Sequence, residues 1–223
     1  MIILDCPQMS DQWFEARLGI VTASKFSMLV TSKGSASTTH DKLKDLKFDE
    51  WVSQKRTKTF TSADMQYGID TEPQARAWYA FARNVDVKEV GLAYLDGSKM
   101  VAVSPDGFVI EEGYEPPYPF SGVTDWSGKG LLEIKCPLPH THRDYLKTRA
   151  LPTVYKAQVQ GQMWVTGAAW CDFLSFRPDM EPMILRIDRD EAFINSMSTI
   201  VKAFAKDLTD ECQQFNKSLG RTK

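Results

Sequence analysis

Two short stretches carry residue types that could act together on a phosphate ester: Ser104-Pro105-Asp106-Gly107 and Leu132-Glu133-Ile134-Lys135-Cys136-Pro137. Met100-Val101-Ala102-Val103 runs into the first, and the second, entered from Gly130, stops at a proline, so each reads as a strand end. Side chains alternate along a strand, which puts Glu133 and Lys135 on one face with Ile134 behind them. If Asp106 emerges from a neighbouring strand, two carboxylates and an ammonium converge on one spot. Like carboxylates repel, and partly buried charge is costly without a compensating cation. A hard divalent cation on oxygen ligands resolves that cost, with the Ile134 carbonyl available as an extra ligand. Magnesium on one or two carboxylates, its shell completed by water or phosphate oxygen, is the usual arrangement for phosphoryl chemistry. The plain alternative is coincidence: Pro-Asp-Gly is a common turn, and Glu-x-Lys recurs by chance.

Several elements must position these residues. Ser10 or Asp11 can cap a short helix through Gln12–Leu18, ended by Gly19, and Thr22-Ala23-Ser24 opens a second over Phe26, Met28, Leu29 and Val30. Helix starts bind anions readily, and Arg17 falls close to the second one. Arg17 is equally well read as a surface cation favoured by the dipole of the first helix. The small-polar loop 31–40 offers Lys33 as its one residue able to grip a ligand. A helix is expected from Asp41, with Leu43, Leu46 and Trp51 along one side. Another is expected to carry Ala75, Trp78, Tyr79 and Phe81, with Pro73 in its first turn and Thr71 or Glu72 at its cap. Glu72 then either favours the positive helix end or serves as a third carboxylate of the metal site.

Strand signals follow at 85–90, 92–95 and 99–103, and again after Gly107. Residues 111–130, rich in proline and glycine, read as a long surface excursion, a length that is functional or mobile inside compact domains. Beyond the Glu133 strand, helices are expected over Thr141–Arg149 and from Thr153 to Thr166, ended by Gly167. On the latter Gln158 and Gln162 stand four apart and share a face, extended by Tyr155. That face suits hydrogen bonding to phosphate or to a water ligand, or is simply a polar helix side. Two more strands, Ala169–Phe176 and Met183–Ile187, precede a tail over 190–219 with Phe193, Met197, Ile200, Val201, Phe204, Leu208, Cys212 and Phe215 at helical spacing.

The 223 residues, 43% hydrophobic and 25% charged, suit one domain with a proper core, 1–223, and exclude a disordered chain. A formal charge of −2 excludes polyanion binding by the whole-molecule field, so nucleic acid must be held by a local patch or a metal. Two stretches lean basic: Lys42, Lys44, Lys47, Lys55, Arg56 and Lys58, and Lys129, Lys135, Arg143, Lys147 and Arg149. Both are ordinarily solvated faces. No apolar run approaches a membrane span, and the start of the chain lacks a signal-type segment, which points away from export. The four scattered cysteines fit reduced thiols, and Cys136 with His140 and His142 lacks a fourth ligand for zinc.

Five motifs in order resemble the lambda-exonuclease (YqaJ-like viral recombinase) family of phage alkaline exonucleases, within the PD-(D/E)xK nucleases. They are Trp13-x-x-x-Arg17-x-Gly19-x-x-Thr22-Ala23-Ser24, Gly68-x-x-x-Glu72, Ser104-Pro105-Asp106-Gly107, Leu132-Glu133-x-Lys135-Cys136-Pro137 and Ala157-Gln158-Val159-Gln160-x-x-Met163-Trp164-Val165-Thr166. The resemblance implies a restriction-endonuclease-like α/β core, a mixed central sheet flanked by helices. It implies 5′→3′ digestion of one strand of linear double-stranded DNA, leaving 3′ tails for recombination by single-strand annealing. It also implies a toroidal homotrimer, an annealing recombinase as partner, and the cytoplasm of a bacterial host carrying phage or prophage. Asp106, Glu133, the Ile134 carbonyl and Glu72 would hold two magnesium ions, with manganese as an alternative, and Lys135 would sit by the attacking water. Arg17, Ser24, Ser104 and Gln158 match the 5′-phosphate pocket, with Gln160 and Lys33 as further DNA contacts. The 111–130 excursion is longer than the connection the resemblance implies, a departure that bears on trimer and partner more than on chemistry. The rivals are a non-catalytic DNA-end-binding or recombinase-docking module, and an endonuclease on the same core.

Overall fold

The computed structural model describes residues 1–56 and 62–220, so Lys58 lies outside it. In chain order the elements are β1 (Ile2–Leu4), α1 (Asp11–Glu15), β2 (Val21–Thr22), α2 (His40–Ser53), α3 (Ala63–Arg83), β3 (Asp86–Lys88), β4 (Leu92–Tyr94) and β5 (Val101–Val103). There follow β6 (Gly107–Ile110), β7 (Gly130–Lys135), α4 (Pro139–Thr148), α5 (Thr153–Thr166), β8 (Trp170–Ser175), β9 (Met183–Asp188) and α6 (Glu191–Ser218). Short 3-10 helices cover Ala23–Met28 and Phe120–Gly122.

The strands form two sheets where one was expected, β1-β4-β5-β2 and β3-β6-β7-β8-β9. The chain leaves the first after Val103 and joins the second at Gly107, so Ser104-Pro105-Asp106 is the crossing between them. Pro105 has no N–H to give to a ladder, which helps end one sheet before the next begins. β6 runs antiparallel to β7 with Gly107 opposite Leu132, and this register brings Asp106 alongside Glu133. β7 runs parallel to β8, with Glu133 opposite Phe173, and the required crossover contains α4 and α5.

The two faces of β7 are covered differently. Leu132 and Ile134 pack under α3 with Ala75, Tyr79, Val109 and Leu174. Leu131 belongs instead to the main core, shared with Val159 and Met163 of α5 and with Phe193, Met197, Val201, Phe204 and Leu208 of α6. The long amphipathic α6 is therefore a core element, as its spacing predicts, and Asp190 caps it by accepting from the Phe193 N–H at 3.0 Å. No helix among the described residues is long and apolar enough to cross a membrane.

Close approach of α5 to the Ala23–Met28 turn depends on Gly161. A Cβ there would lie 2.5 Å from ring carbons of Phe26. Glycine inside a helix costs about 1 kcal/mol relative to alanine. Here it lets the helix carrying Gln158 and Gln162 sit against the turn carrying Ser24.

Three expectations need correction. α3 starts at Ala63, capped by Ser62 accepting from the Met65 N–H at 3.2 Å, so Pro73 lies within it and not in the first turn. The hydrogen bond that Pro73 cannot make is outweighed by packing of Ala75 and Tyr79 further along the helix. Glu72 is consequently mid-helix, away from the positive end. Residues 111–130 are only partly a surface excursion, because Phe120, Val123 and Trp126 are buried. Trp126 donates from Nε1 to the Gly130 carbonyl at 2.9 Å and meets Phe108 edge-on at 5.1 Å. Isolated apolar residues among prolines and glycines have no period by which to be read. Finally, α1 ends at Glu15, short of Leu18, although Gly19 does take a positive φ of 66°.

Candidate active site

Asp106 Oδ2 accepts a hydrogen bond from the Ile134 N–H at 2.6 Å, which fastens the crossing between sheets to β7. Glu133 is wholly buried and takes three donors. Lys135 Nζ bonds Oε1, joined there by Gln158 Nε2 at 2.6 Å, while Gln162 Nε2 reaches Oε2 at 2.6 Å. Strand alternation puts Glu133 and Lys135 on the α5 side, and the four-residue spacing of the glutamines brings both amides to the same carboxylate.

The electrostatics are those of an overcrowded acidic site. Burial raises the Asp106 carboxyl well above the ordinary range, and the charges of Glu133 and Glu72 add to this. Burial alone would lower the Lys135 ammonium, but Glu133 and Asp106 outweigh it and hold Lys135 above its usual range. Glu72 is also raised, chiefly by burial, although Arg76 opposes the shift. Arg76 gives Nη2 to Glu72 at 2.5 Å, Nη1 to Glu89 at 2.7 Å and Nε to the Asp106 carbonyl at 2.8 Å. It therefore ties α3 to the crossing that carries Asp106.

Two cavities adjoin this cluster. The smaller, about 180 Å³, is lined by Arg17, Ser24, Ser104, Asp106, Gln158 and Gln162 among others. Arg17 stacks 4.0 Å from the Trp13 ring centroid and gives Nη2 to Thr22 Oγ1 at 3.4 Å. Burial, then the charge of Arg56, lowers its pKa to about 10, which leaves it cationic at neutral pH. Trp13 Nε1 donates to Gly91 O at 3.0 Å and to Ser104 Oγ at 3.2 Å, fixing one wall. A half-buried guanidinium flanked by hydroxyls and amides has the chemistry of an anion receptor. The larger cavity, about 480 Å³, is lined by Glu72, Ile134, Lys135, Cys136 and Tyr155 with apolar neighbours.

The donor set suits a hard cation. Asp106, Glu133 and the Ile134 carbonyl all offer oxygen, and Asp106 lacks sufficient compensating charge. Among the described residues no three Asp, Glu, His or Cys side chains form a metal cluster by themselves. The all-oxygen donor set fits a hard divalent ion that completes its shell with water or phosphate oxygen. Zinc at Cys136, His140 and His142 is disfavoured, since buried His142 uses Nδ1 on Ser175 Oγ at 2.6 Å and Nε2 on Glu181 O at 2.9 Å.

Of the expected site residues, Asp106, Glu133, Ile134, Lys135, Glu72, Arg17, Ser24, Ser104 and Gln158 all meet around these cavities. Gln160 does not: its amide is turned to Asp188 O and the Asp190 N–H, both at 2.9 Å, securing the entry to α6. Two residues of helix rotate it about 200° from Gln158, so the two cannot serve one site. Lys33 is exposed on its loop and lines neither cavity. Arg76, Glu89 and Gln8 were missed. The four-residue spacing of Glu72 and Arg76 was a readable signal. Gln8, which bonds Val90 O and Pro105 O at 3.0 Å, gave none.

A mixed α/β fold with helices over both faces of its site-bearing sheet is of the class found in nuclease structures. The chain belongs to the YqaJ-like viral recombinase domain family, which matches residues 12–169. A crystal structure of an alkaline exonuclease (LHK-Exo) from Laribacter hongkongensis is similar at 31% identity and a TM-score of 0.77, covering 95% of this chain and 98% of that one. The same protein in complex with dAMP matches equally. A phage-related exonuclease from Haemophilus somnus 129PT shares the fold at 16% identity and a TM-score of 0.60, over 88% and 96% of the two chains. An uncharacterized protein, R354, of Acanthamoeba polyphaga mimivirus is 31% identical over 144 residues, which are 64% of this chain and 24% of that protein.

Proposed function

We propose that this protein is a magnesium-dependent exonuclease that digests one strand of linear duplex DNA from a 5′-phosphorylated end, leaving 3′ single-stranded tails for recombination by annealing. One observation carries the reading: the crowded Asp106–Glu133–Lys135 cluster opens on a small polar cavity that holds the half-buried cation Arg17. Likeness to an alkaline exonuclease over nearly the whole chain supports the same activity. Asp106, Glu133 and the Ile134 carbonyl would hold the metal, with Glu72 contributing from the side of α3. When bound, the metal supplies a Lewis acid that polarises the phosphodiester and makes a bound water acidic.

The protein's own groups do the rest. Lys135, kept as an ammonium, orients the attacking water and faces the charge that develops on the phosphoryl oxygens. Gln158 and Gln162 hold Glu133 against rotation. Arg17, with Ser24 and Ser104, receives the terminal phosphate and so sets the distance from the end at which cleavage falls. A toroidal trimer threaded by DNA, an annealing recombinase as partner and action in the cytoplasm of a bacterial host belong to this proposal as well.

End-labelled linear duplex, covalently closed circular duplex and Mg²⁺ test it directly. Nucleotides should leave the 5′-phosphorylated strand of the linear DNA while the circle survives. Cutting of the circle would indicate an endonuclease on the same core. Tight end binding without release would indicate a docking module. Mass in solution, measured alongside, should correspond to three copies.

A further inference from the structure

Gln162 holds one end of its amide in place and leaves the other without a partner. It is fully buried, and its Oε1 is the one buried side-chain oxygen or nitrogen among the described residues that finds no hydrogen-bond partner. The orientation of the amide is not arbitrary. Turning it over would set Oε1 against Glu133 Oε2, oxygen against carboxylate oxygen, at the 2.6 Å now spanned by Nε2. An unsatisfied buried carbonyl is destabilising, and methionine would fill the same volume without that cost. Such an exception calls for a reason in function.

The neighbourhood supplies one. Gln162 lines the cavity of about 180 Å³ together with Asp106, Gln158 and Arg17. That is room for several waters, at about 30 Å³ each. Gln158, one turn nearer the start of α5, binds the other oxygen of Glu133 but also lines the anion-receiving side beside Arg17 and Ser24. A phosphate arriving there competes for the Gln158 amide. Gln162 would then remain as the neutral donor that keeps Glu133 in place.

We propose that Gln162 is a positioning residue: its Nε2 fixes the rotamer of Glu133, and its Oε1 accepts a hydrogen bond from a water in the adjoining cavity. The catalytic consequence rests on the nuclease reading above; the structural part does not. Supporting groups behind a metal ligand typically govern affinity or activity by about 10–100-fold.

The test compares wild type with Gln162→Met in three ways. Calorimetric titration of the DNA-free protein with MgCl₂ should show at least tenfold weaker binding in the variant. On 5′-phosphorylated linear duplex, kcat should fall by about 10–100-fold while KM for ends stays within about twofold. Thermal unfolding without metal should fall by only a few degrees, the loss of one amide donor from Glu133 Oε2, so the variant remains folded. A folded variant with wild-type Mg²⁺ affinity and kcat would overturn the proposal. Should the variant not fold, a high-resolution crystal structure of the wild type decides: an ordered water on Gln162 Oε1 supports the assignment, and a dry carbonyl defeats it. A wild type that digests no DNA would sink the proposed function, while the Mg²⁺ titration and the water would still decide the role of Gln162.

Discussion

Two carboxylates in adjoining strands of one sheet are fully buried, and they have opposite fates. Asp172 on β8 lies level with Leu132 and points, like it, towards α3. Arg186 gives it Nε at 2.5 Å and Nη2 at 3.1 Å, Tyr79 gives its hydroxyl at 2.7 Å, and Arg83 stands at 3.9 Å. Arg186 is itself stacked 3.4 Å from the Trp170 ring centroid. Every neighbour of Asp172 is thus a committed donor. Glu133 on β7 points the other way, takes one cation and two neutral amides, and has a second acid, Asp106, pressed against it. A buried acid with its charge fully answered is scaffold. One that shares its single cation with a second acid, Asp106, which does line a cavity, is where an external cation and its chemistry belong.

The comparison breaks most sharply at the acidic pair. Asp106→Ala or Glu133→Ala should lower DNA cleavage by about a thousandfold or more, while circular dichroism stays native and DNA ends are still bound. Substantial Mg²⁺-dependent digestion by the purified Asp106→Ala protein would remove these residues from the mechanism. Asp172→Ala should do the reverse. It strands Arg186 and Tyr79 and should cost about 3 kcal/mol in denaturant unfolding, at the lower end for a buried pair because Arg186 can turn to water. Cleavage per folded molecule should stay within about twofold of wild type.

How legible each carboxylate was in the sequence follows from the kind of neighbour it has. Glu133, Lys135 and Asp106 could be read because strand alternation and a turn place them without knowledge of the rest of the chain. Gln158 and Gln162 followed from helical spacing, whereas Gln160 was placed in the site by motif resemblance without that rule being applied to it, and the structure turns it away. Asp172 could not be read. Its partners come from α3 and β9, and nothing local in Trp170–Ser175 announces that Tyr79 will arrive from ninety-odd residues away. The division into two sheets was hidden for a like reason: a strand's own residues report which face is buried, and say little about which sheet it joins. Pro73 misled because a helix-start signal was weighed without the long-range packing that carries α3 through it.

A smaller effect separates the cavity's two tasks. Arg17→Ala should reduce the ratio of cleavage rates on 5′-phosphorylated and 5′-hydroxyl ends by about tenfold, the value of one charge-assisted contact to phosphate. The rate on 5′-hydroxyl ends should change little, since Arg17 bonds Thr22 and stacks on Trp13 without touching Glu133 or Lys135. An unchanged ratio would move the terminal phosphate elsewhere.

The finest test lies at the scaffold carboxylate. Tyr79→Phe removes one hydrogen bond to Asp172 while leaving both Arg186 contacts and the packing of the ring beneath the sheet. Asp172 remains doubly bonded, so no charge is stranded, and the loss should be about 1 kcal/mol of stability, the net worth of one hydrogen bond. Cleavage, Mg²⁺ dependence and end preference should all be those of wild type. If instead Mg²⁺ dependence shifted in this variant, charge at Asp172 would be felt across β7 at Glu133. The two carboxylates would then form one electrostatic unit, and the separation of scaffold from chemistry drawn above would not hold.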